Sequence, residues 1–137
     1  MEIMLAGSRT TKRAPDNYFT GTVWQDPIVA APAPARLVVF RVTFEPGART
    51  AWHSHPFGQT LYVMSGIGRV QTANGPVREI RPGDTVWIPP GEKHWHGASP
   101  DHLMCHLAMQ EAQDGNTATW MEMVSDEDYA KPVQTPA

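Results

Sequence analysis

The chain has 137 residues, 41% of them hydrophobic, with Gly 11 and Pro 13 and a formal net charge of -3. That length suits one domain, 1–137, and the glycine and proline content suits many turns rather than long helices, so an all-β fold is expected. No run of like charge is available to track a phosphate backbone or an anionic bilayer, no stretch of about 18 apolar residues occurs, and the single Cys105 excludes an internal disulfide, so the expectation is a cytoplasmic protein without nucleic-acid or membrane partners.

Residues 1–36 read as an irregular lead-in, with strand-like pieces at 2–5 and 20–25 and a proline- and alanine-rich stretch at 26–35. The β-branched and aromatic run 37–44 predicts the first long strand. It closes at Glu45-Pro46-Gly47, where proline presets φ and glycine takes the positive value. Further strands are predicted over 49–53, 60–64, 68–72, 77–80, 84–88, 94–97 and 104–110. Ser65-Gly66, Asn74-Gly75, Arg81-Pro82-Gly83-Asp84 and Pro89-Pro90-Gly91 separate them, and Asn74-Gly75 is the strongest hairpin signal. Short strands at this spacing predict a barrel or sandwich. Near the end, Ser125 is placed to cap a short helix opening with Asp126-Glu127-Asp128, whose acidic side chains suit a helix N-terminus, and 131–137 reads as a loose tail. Cys105 reads as a small buried side chain, the five tryptophans (Trp24, Trp52, Trp87, Trp95, Trp120) as core or interface aromatics, and His102 as solvent-exposed.

All six histidines fall between positions 53 and 106. Strand side chains alternate faces, so His53 and His55 share one face while Trp52 and Ser54 take the other; His94 and His96 form a second such pair around Trp95. The set His53, His55, Gln59 and His94 is therefore predicted to hold one divalent metal ion. Neutral imidazoles suit Mn, Fe, Co, Ni, Cu and Zn alike, and the amide oxygen of Gln59 tilts the choice towards a harder ion such as Mn(II) or Fe(II). None of the four ligands is charged, so such a site keeps about two positive charges and favours an anion. The same alternation brings His96 inside as a candidate base, with His106 and Gln110 directed into the cavity from the last long strand. Val38, Phe40, Val42 and Phe44 form an apolar wall suited to an aromatic or aliphatic substrate, and Thr50 lies at the mouth.

The pattern Gly47-x5-His53-x-His55-x3-Gln59-x6-Gly66, followed by Gly83-x5-Pro89-x-Gly91-x2-His94, resembles the two cupin motifs over about residues 37–110. The resemblance implies a jelly-roll (double-stranded β-helix) barrel. Two departures stand out: Gln59 replaces the usual glutamate ligand, and Ala98 replaces the asparagine that often ends the second motif. More closely, residues 44–53, 58–61 and 90–98, with His106-Leu107-Ala108 and Gln110-Glu111, are similar to the small bacterial cupins that act as manganese-dependent hydroxynitrile lyases. That likeness implies Mn(II) foremost, with Fe(II), Ni(II) or Zn(II) as alternatives, a metal set of His53, His55, Gln59 and His94, and a reaction cavity lined by Thr50, His96, His106 and Gln110. It also implies a small-molecule substrate: a cyanohydrin cleaved reversibly to an aldehyde or ketone and hydrogen cyanide, with His96 or His106 as base and Phe40 and Val42 in the pocket. A metal-dependent dioxygenase and a non-enzymic small-ligand-binding cupin are the other two readings of the same residues. A homodimer or homotetramer, paired through an edge strand, is expected.

Overall fold

The computed structural model describes residues 1–134. In chain order its elements are β1 (Lys12–Arg13), β2 (Phe19–Thr20), β3 (Val23–Ala30), β4 (Leu37–Phe44), β5 (Arg49–Thr50), β6 (His53–Ser54), β7 (Gln59–Gly66), β8 (Gly68–Thr72), β9 (Arg78–Ile80), β10 (Thr85–Ile88), β11 (His94–Ala98), β12 (Met104–Glu111), β13 (Thr119–Trp120) and α1 (Asp126–Tyr129). One sheet runs β1-β3-β4-β12-β7-β10 and the other β13-β6-β11-β5-β2, with β8 joined to β11 and β9 to β8. The two sheets curl into the expected jelly-roll. No described helix is long and apolar enough to cross a membrane.

Period-two patterning decides which side chains enter the barrel. On β12, Met104, His106, Ala108 and Gln110 are buried while Cys105, Leu107 and Met109 are half-buried on the outer face. On β7, Gln59, Leu61 and Val63 are buried and Tyr62 and Met64 exposed. Phe44, Leu61, Val63, Ile88 and Met104 form the centre of one apolar cluster, each such burial contributing about 1.5–3 kcal/mol. A second cluster, Trp52, Val77, Trp95, Val124 and Tyr129, fastens the C-terminal segment to the outside of the other sheet.

Several boundaries differ from expectation. Residues 2–5 form no strand; they are exposed, and Leu5 instead accepts the Ser8 amide in a turn. The stretch expected as one strand over 20–25 breaks at Gly21, φ 77°, into β2 and β3. β3 then runs through Pro27 to Ala30, where an irregular lead-in was expected, and a register shift between Pro27 and Val29 accommodates the residue that has no N–H. The strand expected over 49–53 is two short ones. Between them the Ala51 and Trp52 amides leave the sheet to donate to the Tyr18 and Glu122 carbonyls. Cys105 is half-buried rather than buried, since it points outward on β12.

Other expectations agree with the structure. Asn74 takes φ 66° in the β8–β9 connection, Ser125 caps α1 by accepting from the Asp128 amide at 3.1 Å, and His102 is exposed. Of the tryptophans expected in the core or an interface, Trp52 and Trp95 are buried, whereas Trp24 and Trp87 are exposed. The tail expected to be loose over 131–137 is instead held at Gln134, which donates its amide to Val77 at 2.8 Å; residues 135–137 lie outside the described residues.

Candidate metal centre and cavity

His53 on β6 and His94 on β11 are direct cross-strand partners, so the register of the second sheet sets their rings 4.2 Å apart, centroid to centroid. Two residues along β11, His96 projects to the same side, and ligand nitrogens of His53, His94 and His96 lie within 4.8 Å of one another. His55 follows β6; its ring stands 4.9 Å from that of His53 and 5.3 Å from that of His94. The turn between His55 and β7 depends on Gly58, at φ 81°, where a Cβ would fall 2.6 Å from the Ile88 carbonyl oxygen. His96, expected beside the metal set, thus also comes within reach of His53 and His94, but by ring spacing His55 stands nearer to both, at 4.9 and 5.3 Å against 5.3 and 5.8 Å for His96.

Hydrogen bonds fix the ring tautomers. The Nδ1 atoms of His53, His55 and His94 face the backbone carbonyls of Ala51, Thr117 and Glu92 at 2.8, 2.7 and 2.9 Å. A carbonyl can only accept, so each Nδ1 carries the proton and each Nε2 presents a lone pair. The Nε2 of His55 is buried without a hydrogen-bond partner.

Two amides complete the centre. Gln110 donates from Nε2 to the Val38 carbonyl at 2.9 Å, which leaves its Oε1 to accept from Gln59 Nε2 at 2.9 Å. That bond turns Gln59 Oε1 towards His94 Nε2, 3.2 Å away. With a neutral His94 this is a contact between two acceptors. Exchanging the tautomer only moves the mismatch to the Glu92 carbonyl, and burial opposes the doubly protonated ring by lowering the His94 pKa to about 4. A cation shared by Gln59 Oε1 and the neighbouring imidazole nitrogens relieves the mismatch and satisfies His55 Nε2. The residues present therefore fit a divalent metal.

Beside this centre lies a cavity of about 110 Å³. Thr50, His53, His55, Gln59, His96 and Gln110 supply its polar wall, and Phe40, Val42, Phe44 and Ala108 much of its apolar wall. His94 and His106 do not line it; both are fully buried behind it. His106 acts at one remove, its Nε2 2.9 Å from His96 Nδ1, while His96 Nε2 is buried and unpartnered. Burial, and then the charge of His106, hold the His96 pKa well below the usual 6.5; burial alone lowers His106 to about 4. The pair is neutral at neutral pH. A larger groove of about 500 Å³ beside Arg78, Trp87 and Gln134 lies elsewhere and contains none of the histidines.

Sequence reasoning missed part of the wall. Phe19, Gln25, Thr117, Ala118 and Trp120 also line the cavity, and Trp120, taken as a core or interface aromatic, stacks on Tyr18 at 4.7 Å and lies 4.6 Å from the His53 ring. These residues come from the two ends of the chain, outside both motifs, and no spacing pattern points to them.

This barrel, with histidines from β6 and β11 meeting inside it, is that of a cupin, and the chain belongs to the cupin family: the Cupin domain profile matches residues 40–108. It is 56% identical over 131 residues to the (R)-mandelonitrile lyase of Granulicella tundricola, a match covering 96% of this chain and 100% of that protein. Among solved structures, a cupin-like protein from Thermotoga maritima superposes with a TM-score of 0.84 at 38% identity, covering 98% of each chain. A polyketide cyclase from Streptomyces resistomycificus shares the fold alone, with a TM-score of 0.61 at 21% identity, covering 78% of this chain and 75% of that one.

Proposed function

We propose that this chain is a metal-dependent lyase that cleaves cyanohydrins to an aldehyde or ketone and hydrogen cyanide, and forms them in reverse. The observation that carries the reading is the unpartnered Nε2 of His96, which lines a small cavity beside the histidine and amide centre and is backed by His106. The name of the Granulicella relative points the same way. His53, His55, Gln59 and His94 would hold the ion, Mn(II) foremost. When bound, it supplies positive charge that stabilises the departing cyanide or the substrate oxyanion.

The chain's own residues move the proton. With His106 Nε2 accepting from His96 Nδ1–H, His96 Nε2 offers its lone pair to the substrate hydroxyl. It takes that proton, the O–H pair becomes the second bond of the carbonyl, and the C–CN pair leaves with cyanide. Cyanide then recovers the proton from His96 and departs as hydrogen cyanide, so the ring returns to its starting state. Thr50 Oγ1 accepts the backbone amide of His96 at 3.2 Å, which keeps its own O–H free to donate to the substrate oxygen. Phe40, Val42 and Phe44 exclude water and receive the substrate's carbon skeleton, with Phe40 narrowing the space. The chain works as a homodimer, a reading supported by the apolar outer face of β7 and β10.

The test is cyanide release by manganese-loaded protein from acetone cyanohydrin and mandelonitrile, under nitrogen and in air. Turnover is expected to be equal in the two atmospheres, and His96→Ala to lower kcat by about 100-fold or more. Release no faster than with free Mn(II) for either compound would overturn the lyase reading, and turnover that stops under nitrogen would assign the site to oxygen chemistry instead.

A further inference from the structure

We infer that Gln110 is a positioning residue whose amide dictates which end of the Gln59 side chain meets the metal. The inference rests on the metal-site reading above but assigns Gln110 a task other than contact with substrate. Register creates the arrangement: Gln110 on β12 is the cross-strand partner of Val38 on β4 and of Gln59 on β7, so three adjacent strands place a backbone carbonyl, one amide and a second amide in a row.

The row has a direction because its first member has only one hydrogen-bonding sense. The Val38 carbonyl accepts, so the Gln110 amide presents Nε2 to it at 2.9 Å. Gln110 Oε1 must then face Gln59, whose Nε2 donates to it at 2.9 Å. The remaining end of Gln59, Oε1, is the end directed at His94 Nε2, 3.2 Å away. Turning Gln59 over would set two oxygens against each other at Gln110. It would also offer the cation an amide NH2, whose nitrogen lone pair is delocalised and whose hydrogens carry positive partial charge. All three residues of the row are shielded from bulk water: Gln59 is 4% exposed, Gln110 7%, and Val38 half-buried. Water is therefore a poor substitute for a lost partner in this row.

A ligand whose two ends differ needs such a device, whereas a carboxylate, with oxygen at both ends, does not. This gives a test independent of catalysis. Mn(II) and Co(II) dissociation constants are measured by calorimetry and chelator competition on the full chain, for Gln110→Leu in the natural background and in a Gln59→Glu background. Gln110→Asn, which keeps a polar group but withdraws it from Gln59, serves as a second variant should the leucine protein fold poorly. Metal affinity is expected to fall about tenfold or more when Gln110 is replaced in the natural background. In the Gln59→Glu background the same replacement should cost less than about threefold, because there is no amide left to orient. Equal losses in both backgrounds would mean a merely structural role and overturn the inference, as would unchanged affinity in the natural background. A wild-type chain that binds neither ion would instead remove the metal reading on which the inference stands.

Discussion

Each histidine of the centre is kept neutral by the same cause. His94 and His106 are lowered to about 4, and His53 and His96 well below the ordinary histidine value, with burial the largest contribution in every case. Unfolded, the same residues titrate near 6.5, so between about pH 6.5 and 4 the unfolded chain binds more protons than the folded one. Stability is therefore complete above about pH 6.5 and is lost as the pH falls towards 4. Urea unfolding of metal-free protein should give a midpoint that is constant from about pH 7 upward and declines steadily below 6.5. A midpoint that rises on acidification would show that these rings are charged in the folded state. At this scale the two glutamines differ from the histidines: they do not titrate here, and they act through the direction of their amides.

Among the elements, the C-terminal segment does more than close the chain. β13 pairs with β6, with Trp120 opposite His53, and α1 then places Tyr129 against the second sheet. Tyr129 donates its hydroxyl to the Ala98 carbonyl at 2.5 Å, its ring lies 4.5 Å beneath the Arg49 guanidinium and 5.7 Å from Trp95. Ala98 ends β11, the strand that carries His94 and His96, so the helix braces that strand from outside. Tyr129→Ala should cost about 3–5 kcal/mol in chemical denaturation, whereas Tyr129→Phe, which loses only the hydrogen bond, should cost about 1 kcal/mol. Equal effects of the two substitutions would show that the ring contributes nothing.

At the scale of the whole molecule, the outer face of the first sheet is unusually apolar where β7 meets β10. Trp87 is 60% exposed, Tyr62 43% and Met64 46%, and the register Trp87↔Thr60 and Thr85↔Tyr62 sets them on one face. Contiguous exposed side chains of this size suit association, and β10 is also one of the two edge strands of the sheet among the described residues. Light scattering coupled to gel filtration should give twice the chain mass for the wild type, and Trp87→Glu together with Met64→Lys should shift the protein to a monomer. A wild type that is monomeric at tens of micromolar, on the order of cellular protein concentrations, would remove this assembly.

A strand-rich barrel or sandwich, most strands and part of the cavity wall could be read from alternation and turn chemistry, which are local, while the jelly-roll followed from the resemblance of the two motifs. Val42, Phe44, His106 and Gln110 face inward for no reason beyond period two, and Gly47, Gly66 and Gly83 mark turns through their positive φ. The arrangement of the histidine and amide centre depended on pairings between distant segments. His96 came within reach of His53 and His94 because of how β11 lies against β6, Trp120 and Thr117 reached the cavity from the C-terminal part of the chain, and the Gln59 amide faces Gln110, which faces Val38. Such relations depend on which strands lie side by side, and a side-chain period specifies a face without specifying a neighbour. Residue types and spacing therefore defined the candidate ligands, while the tertiary structure decided which atom of each one faces the centre, through backbone carbonyls for the histidines and through the register of three strands for Gln59.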